Sequence, residues 1–245
     1  MLSSPLDPSS ATRALALADR PAPGRQSAPR RTFQTPAIDP EPLVLVVDDD
    51  EAVRAAICEL LLCVGITAAG FASVGELTDA DVLDRPGCMI LDVRMPGLSG
   101  LDFQAQLAAS GIPASIIFLT GHGDIPMTVQ AMKAGAVEFL TKPVRDQTLL
   151  DAVNRAIAMD EARRTDALIA RRNVTLYATL TPRERQVMRA VVTGALNKQI
   201  AFQLGITEVT VKLHRSAVMR KMQVPFVAQL VQAWQTMPAD VREAA

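Results

Sequence analysis

From Leu43 onward, short apolar runs alternate with longer amphipathic stretches. LVLVV (43–47) precedes Glu51–Val64, ITAAGF (66–71) precedes Val74–Leu83, and CMIL (88–91) precedes Leu101–Ala109. SIIFL (115–119) then precedes Ile125–Ala134, and EFL (138–140) precedes Asp146–Ala158. Near-continuous apolar runs of strand length suit strands covered on both faces, and their alternation with helical stretches predicts an α/β domain over residues 43–158. Five strands, each followed by a helix, imply a doubly wound five-stranded parallel sheet.

The pattern changes after residue 158. Residues 159–178 contain no Gly or Pro and mix Arg163, Arg164, Arg171 and Arg172 with Ala, Leu and Ile, which predicts a helical linker continuing the fifth helix. Within residues 179–245, Pro182–Thr193, Asn197–Leu204, Thr207–Met222 and Val227–Met237 read as four helices broken at Gly194, Gly205 and Pro225. Residues 1–42 are rich in Pro, Ser, Ala and Arg without periodicity, the composition of a disordered tail. A transient helix at Ser9–Arg20 would be isolated by prolines on both sides, and no function attaches to it.

The net charge of −1 over 245 residues conceals an asymmetry. Residues 43–154 carry 6 Lys/Arg against 15 Asp/Glu, a net of −9, whereas residues 181–245 carry 9 against 4, a net of +5. The first part suits a cation and the second a polyanion. No apolar run approaches the ~18 residues of a membrane span, and the first residues lack a basic start followed by an apolar core, so a cytoplasmic protein without membrane partners is expected. Cys58, Cys63 and Cys88 lie in apolar stretches away from any second Cys/His pair at metal spacing; they read as reduced core residues.

Polar residues fall where the strands end: Asp48, Asp49 and Asp50 after the first, Asp92 after the third, Thr120 after the fourth, and Lys142 after the fifth, just before Pro143. In a doubly wound sheet these ends form the working edge. A single Asp after a strand is ordinarily a turn or cap residue, so the argument rests on several such residues at successive ends. Carboxylates this close repel unless a cation sits among them, and magnesium suits a few carboxylates plus water and a phosphoryl oxygen. Asp92 stands alone at its strand end and reads as a nucleophile for phosphorus, with Asp48 and Asp49 suited to the metal. Lys142 would pair with one phosphoryl oxygen and Thr120 would donate a hydrogen bond to another.

VVDDDEAVR, ILDVRMPGLSG and FLTGHGDIPMTVQAMKAGAVEFLTKPV together resemble the receiver domain of bacterial two-component response regulators, over residues 43–158. TGHGDIPM and KAGAVEFLTKP resemble the FixJ subgroup in particular. The resemblance implies a flavodoxin-like fold, phosphorylation of Asp92 by a sensor histidine kinase, and magnesium held by Asp48, Asp49, Asp92 and the Arg94 backbone carbonyl. It also implies a switch in which Thr120 moves toward the phosphoryl group and Phe139 fills the space vacated. Val144 departs from the Phe common at its position, outside the acid pocket.

In the basic part, Leu204-Gly205-Ile206-Thr207 closes one helix and starts another, with Gly205 for the turn and Thr207 as N-cap, which is a helix-turn-helix. At 100° per residue, Val211, Val218 and Met222 share a core-facing side, while Val209, Lys212, Leu213, Ser216 and Arg220 point largely the other way. Cations, a small hydroxyl and apolar side chains suit the major groove, where phosphates and thymine methyls are both present. His214 lies on the flank of the core side. LTPRERQVMRAVVTGALNKQIAFQLGITEVTVKLHRSAVMRKM (180–222) resembles the LuxR/FixJ-type DNA-binding domain, although Ala195 stands where a polar residue is common. That resemblance implies a phosphate contact from Lys198 and base contacts from Lys212, Leu213 and Ser216, with Thr207 at the start of the DNA-facing helix. Promoter DNA and RNA polymerase are the expected partners. A homodimer is expected on phosphorylation, formed through the receiver, the last helix around Leu230, Val231 and Trp234, or both.

Two other readings compete. Haloacid-dehalogenase-type phosphatases also combine a strand-end Asp, a second Asp two residues on, a Thr, a Lys and magnesium, and Asp48 with Asp50 has that spacing. Those enzymes require a Gly-Thr type turn after the first pair and an acidic pair after the lysine, where this chain has Glu51-Ala52 and Val144-Arg145. The remaining reading is a DNA-binding protein whose receiver serves only to dimerise it.

Overall fold

The computed structural model describes residues 41–121 and 123–243. The tail expected over residues 1–42, including the stretch Ser9–Arg20, lies outside the described residues except for Glu41 and Pro42. Five strands alternate with five helices: β1 (Leu43–Val47), α1 (Glu51–Cys63), β2 (Thr67–Phe71), α2 (Val74–Asp79), β3 (Gly87–Leu91), α3 (Gly100–Ala109), β4 (Ile116–Thr120), α4 (Ile125–Lys133), β5 (Glu138–Thr141) and α5 (Asp146–Ala178). All pairings are parallel and the spatial order is β2-β1-β3-β4-β5. The chain reverses its winding between β1 and β3, which opens a crevice beyond their carboxyl ends.

Strand alternation divides the interior into two cores. Leu43, Leu45 and Val47 of β1, with Leu91 and Phe118, pack against α2, α3 and α4 through residues such as Leu77 and Phe103. Val44 and Val46, with Ile90, Ile117 and Leu119, pack against α1 and α5 through Ile57, Leu61, Leu149 and Val153. With both faces covered, the inner strands become fully apolar, which is why their sequences run without polar interruption.

Two expectations need correction here. The second helix ends at Asp79, short of Leu83, because the chain passes through a left-handed conformation at Asp81 (φ 52°), incompatible with continuing the helix. Cys63, the last residue of α1, is exposed, whereas Cys58 is half-buried and Cys88 fully buried. Burial pushes the Cys88 thiol up to about 12, which keeps it protonated and unreactive.

Helix α5 runs unbroken for 33 residues, and its last turns belong to a separate cluster. Tyr177 and Leu180 pack there with Val187, Ile200, Val211 and Leu230 from α6 (Pro182–Val192), α7 (Asn197–Leu204), α8 (Glu208–Lys221) and α9 (Val227–Thr236). A short α10 (Ala239–Glu243), which the hydrophobic pattern did not anticipate, brings Val241 against this core. Thr181 caps α6 reciprocally with Glu184, whose carboxylate is also paired with Lys221 Nζ at 2.6 Å. Among the described residues, no helix is long and apolar enough to cross a membrane.

Burial alone would raise the Glu184 carboxyl, but Lys221 and the Thr181 amide and hydroxyl outweigh it and hold the group below the usual glutamate range. A depressed carboxyl contributes stability that is present above the unfolded value of about 4.3 and is lost as pH falls through the folded one. Glu184→Gln should therefore flatten the acid limb of the thermal stability curve below about pH 4.3 relative to wild type, as measured by melting between pH 3 and 6. At Gly87, with φ +135°, an added Cβ would lie 2.1 Å from the Leu43 carbonyl oxygen. Gly87→Ala should lower stability by more than about 1 kcal/mol in denaturant melts, since neither the backbone angle nor the space admits the methyl.

Candidate functional site

The three consecutive aspartates after β1 take three different environments. Asp50 turns back to cap α1, its carboxylate accepting hydrogen bonds from the Ala52 and Val53 amides at 2.9 and 3.2 Å. Asp49 is exposed, and Asp48 is buried at 2% exposure. The Asp50 amide donates to Asp48 Oδ1 at 3.0 Å, and the Arg54 guanidinium donates to the Asp48 carbonyl at 2.7 Å, so the first turn of α1 holds Asp48 against the sheet edge. Asp92 follows β3 and is also buried; its amide donates to the Val47 carbonyl at 2.9 Å, fastening it beside the end of β1.

Lys142 crosses from the end of β5 to both carboxylates. Its Nζ is ion-paired with Asp48 Oδ2 and lies 2.9 Å from Asp92 Oδ2. Oxygens of Asp48, Asp49 and Asp92 all lie within 4.8 Å of one another, a spacing that one small divalent ion can bridge. Burial raises the Asp48 carboxyl even though Lys142 and the Asp50 amide pull it down. Three carboxylates, those of Asp48, Asp49 and Asp92, face the one ammonium of Lys142. Burial likewise works against the charge on Lys142, but its hydrogen bonds to Asp48 and Asp92 prevail and hold the ammonium above its ordinary value. The donor set is all oxygen, which fits a hard cation such as magnesium.

Thr120 ends β4, is buried at 1% exposure, and its carbonyl accepts from the Lys142 amide at 2.8 Å. Registers Phe118↔Phe139 and Thr120↔Thr141 put Thr120 and Phe139 on the same sheet face, on adjacent strands. The Phe139 ring is half-buried, 5.9 Å from that of Phe118. Arg94, two residues beyond Asp92, donates its amide to Asp92 Oδ1 at 3.2 Å and is exposed. Pocket residues from four strand ends are thus brought together, while Asp50, which the phosphatase reading needs, is occupied as a helix cap.

Sequence reasoning overlooked two glycines that shape this site. A Cβ at Gly100 would meet the Asp92 carbonyl oxygen at 2.3 Å, and one at Gly123 would meet the Phe139 ring at 2.8 Å. The signal available was glycine at a short, fixed offset after Asp92 and Thr120, where backbone must approach closely.

In the helical part, α7 closes at Gly205, which is left-handed at φ 63°, and the Ile206 amide donates back to the Ala201 carbonyl. Thr207 caps α8, accepting from the Thr210 amide at 3.2 Å. Arg215 of α8 donates to the Asn197 side chain at the start of α7 at 2.7 Å, locking the two helices together. Val211, Val218 and Met222 are buried, and His214 is half-buried. Thr207, Lys212, Ser216 and Arg220 are exposed, as are Val209 and Leu213 at 67% each, and Lys198 is exposed on α7. On α9, Leu230 is buried and Trp234, half-buried, packs edge-on against Tyr177 at 5.8 Å, while Val231 is half-buried and Val227 exposed.

Comparison with known proteins agrees with both halves. Residues 44–154 match the family described as "Response regulator receiver domain", and residues 178–234 match "Bacterial regulatory proteins, luxR family". Nodulation protein W of Bradyrhizobium diazoefficiens is 48% identical over 195 residues, covering 80% of this chain and 86% of that protein. The transcriptional regulatory protein FixJ of Azorhizobium caulinodans is 42% identical over 198 residues, covering 78% and 92% respectively. The solved structure of the response regulator StyR superposes with a TM-score of 0.69 at 44% identity, over 80% of this chain and 98% of that one. The chain belongs to the response-regulator family, in the branch that joins a receiver to a luxR-type DNA-binding domain, and it is a transcriptional regulator of a two-component system.

Proposed function

We propose that Asp92 accepts a phosphoryl group from a sensor histidine kinase and that this modification controls promoter binding through the exposed face of α8. In the transfer, an Asp92 carboxylate oxygen bonds to phosphorus while the bond from phosphorus to the donor imidazole nitrogen breaks, leaving an aspartyl phosphate. The observation that carries this reading is the placement of Lys142 against both Asp48 and Asp92 with the Asp49 carboxylate close by. Magnesium, held by Asp48, Asp49, Asp92 and the Arg94 carbonyl, would supply neutralisation of phosphoryl charge when bound. Lys142 then pairs with one phosphoryl oxygen.

Phosphorylation adds roughly two negative charges and three acceptor oxygens. Thr120 turns toward one of these oxygens, and Phe139 moves inward over the vacated space beside Phe118. The phosphoryl group shifts the population only by binding that arrangement better than the other. Residues 43–158 act as receiver, 159–178 as linker and 179–245 as DNA-binding domain in this account. Lys198 contacts phosphate; Thr207, Val209, Lys212, Leu213, Ser216 and Arg220 face the groove. Exposed Ile125, Val129 and Met132 on α4 supply apolar surface for pairing two receivers into a homodimer, and the last helix around Val231 and Trp234 is the second candidate surface.

DNA from the region upstream of its own gene, titrated with wild type and Asp92→Ala, each with and without acetyl phosphate and magnesium, tests this reading. Tighter binding by phosphorylated wild type, absent in Asp92→Ala, is expected; equal binding in all four conditions would reduce the receiver to a scaffold. Lys198→Ala should weaken binding to every sequence and lower the slope of log affinity against log salt by about 1, whereas Leu213→Ala should alter preference among sequences with the slope unchanged, as read by fluorescence anisotropy.

A further inference from the structure

Asp160 is buried at 2% exposure, yet it lies on α5 beyond Ala158, in a stretch otherwise open to solvent. Its Oδ2 accepts a hydrogen bond from the Gly87 amide at 2.9 Å and from Arg164 Nε at 2.8 Å, and its Oδ1 is ion-paired with Arg163. Arg164 reaches on to the Arg85 carbonyl at 2.8 Å. Two hydrogen bonds, from the Gly87 amide to Asp160 and from Arg164 to the Arg85 carbonyl, thus tie this turn of α5 to the segment entering β3, and Arg163 and Arg164 hold the Asp160 carboxylate in place from within the helix. The segment cannot yield sideways: Gly87 is pressed so close to Leu43 that a Cβ there would lie 2.1 Å from the Leu43 carbonyl oxygen. Nothing in the acid pocket or on the DNA-facing helix requires this arrangement.

Gly87 and Asp92 stand at opposite ends of one strand. β3 begins at Gly87 and ends at Leu91, immediately before the phosphoryl acceptor, so about 17 Å of buried extended chain connects the pocket to the Asp160 anchor. On the other side of the anchor, α5 is largely exposed until Val174, which packs on the core of the DNA-binding domain. That interval spans about 21 Å, and a free helix of such length is marginal in water, so its course is set by what holds its two ends. Tyr177 holds the far end; Asp160 holds the near one.

We infer that Asp160 is a positioning residue for phosphorylation-controlled DNA binding: it clamps the linker helix to the start of β3, so that a change at Asp92 is passed to the DNA-binding domain. The inference rests on the reading that phosphorylation of Asp92 controls DNA binding. Removing the carboxylate leaves the acid pocket and α8 intact but releases the Gly87 amide, Arg163 and Arg164. Each domain then keeps its own activity, while the link between them is lost.

Full-length wild type, Asp160→Ala, Asp160→Asn and Arg164→Gln, each with and without acetyl phosphate and magnesium, separate the possibilities. Phosphoprotein is followed by gel mobility, DNA affinity by anisotropy and folding by thermal melting. Asp160→Ala should take up phosphoryl groups at the wild-type rate, while the gain in DNA affinity on phosphorylation falls to less than about twofold. Asp160→Asn, which retains an acceptor for the Gly87 amide, should recover part of the gain. If Asp160→Ala does not fold, Arg164→Gln decides, because Arg164 is partly exposed and its loss leaves Arg163 on the buried carboxylate. Normal phosphorylation with an undiminished gain in the folded variants overturns the clamp alone. A wild type that is phosphorylated without any gain overturns the control reading, and the clamp with it.

Discussion

Lys142 places one ammonium against two buried carboxylates that come from different strands, and the front edge of the receiver is organised around that contact. Asp48 and Asp92 would repel each other at this separation, and burial makes the repulsion harder to screen. The parallel sheet solves the geometric half of the problem by delivering β1, β3 and β5 to one edge. The lysine solves only part of the electrostatic half, because one ammonium faces the carboxylates of Asp48, Asp49 and Asp92. A cluster left short of positive charge is prepared for a divalent ion and for a phosphoryl group that arrives with one.

The DNA-binding part is built on a different balance. Its helices are held by caps and turns at their ends: the Thr181–Glu184 box, left-handed Gly205, and Thr207. These satisfy backbone groups that a small helical core would otherwise leave open. With the ends secured locally, α8 can leave Val209 and Leu213 in solvent instead of using them for its own packing.

Much of the fold was legible because strands buried on both faces must be apolar throughout, and the runs that form β1, β3 and β4 have that form. The acid pocket was legible because several chemically matched residues fall at strand ends. What sequence alone left unassigned was Asp50, whose role as the cap of α1 depends on where the chain turns. Asp160 was hidden for the opposite reason: a carboxylate in an arginine-rich helix reads as solvated, and its partner Gly87 lies 73 positions away. Leu230 was not legible as a core residue because an amphipathic final helix has the same pattern whether its apolar side meets a partner or its own domain. Cys63 and the early end of α2 turned on single positions at element boundaries, where periodicity has least to say.

The uninterrupted helix from Asp146 to Ala178 has a bearing on how such chains can change in evolution. A helix advances about 100° for each residue, so one residue inserted between its two anchored ends would swing everything downstream by more than a quarter turn. Seven would restore the original facing to within about 20° while lengthening the span by roughly 10 Å. Linker length in this architecture is therefore a matter of phase before it is one of distance.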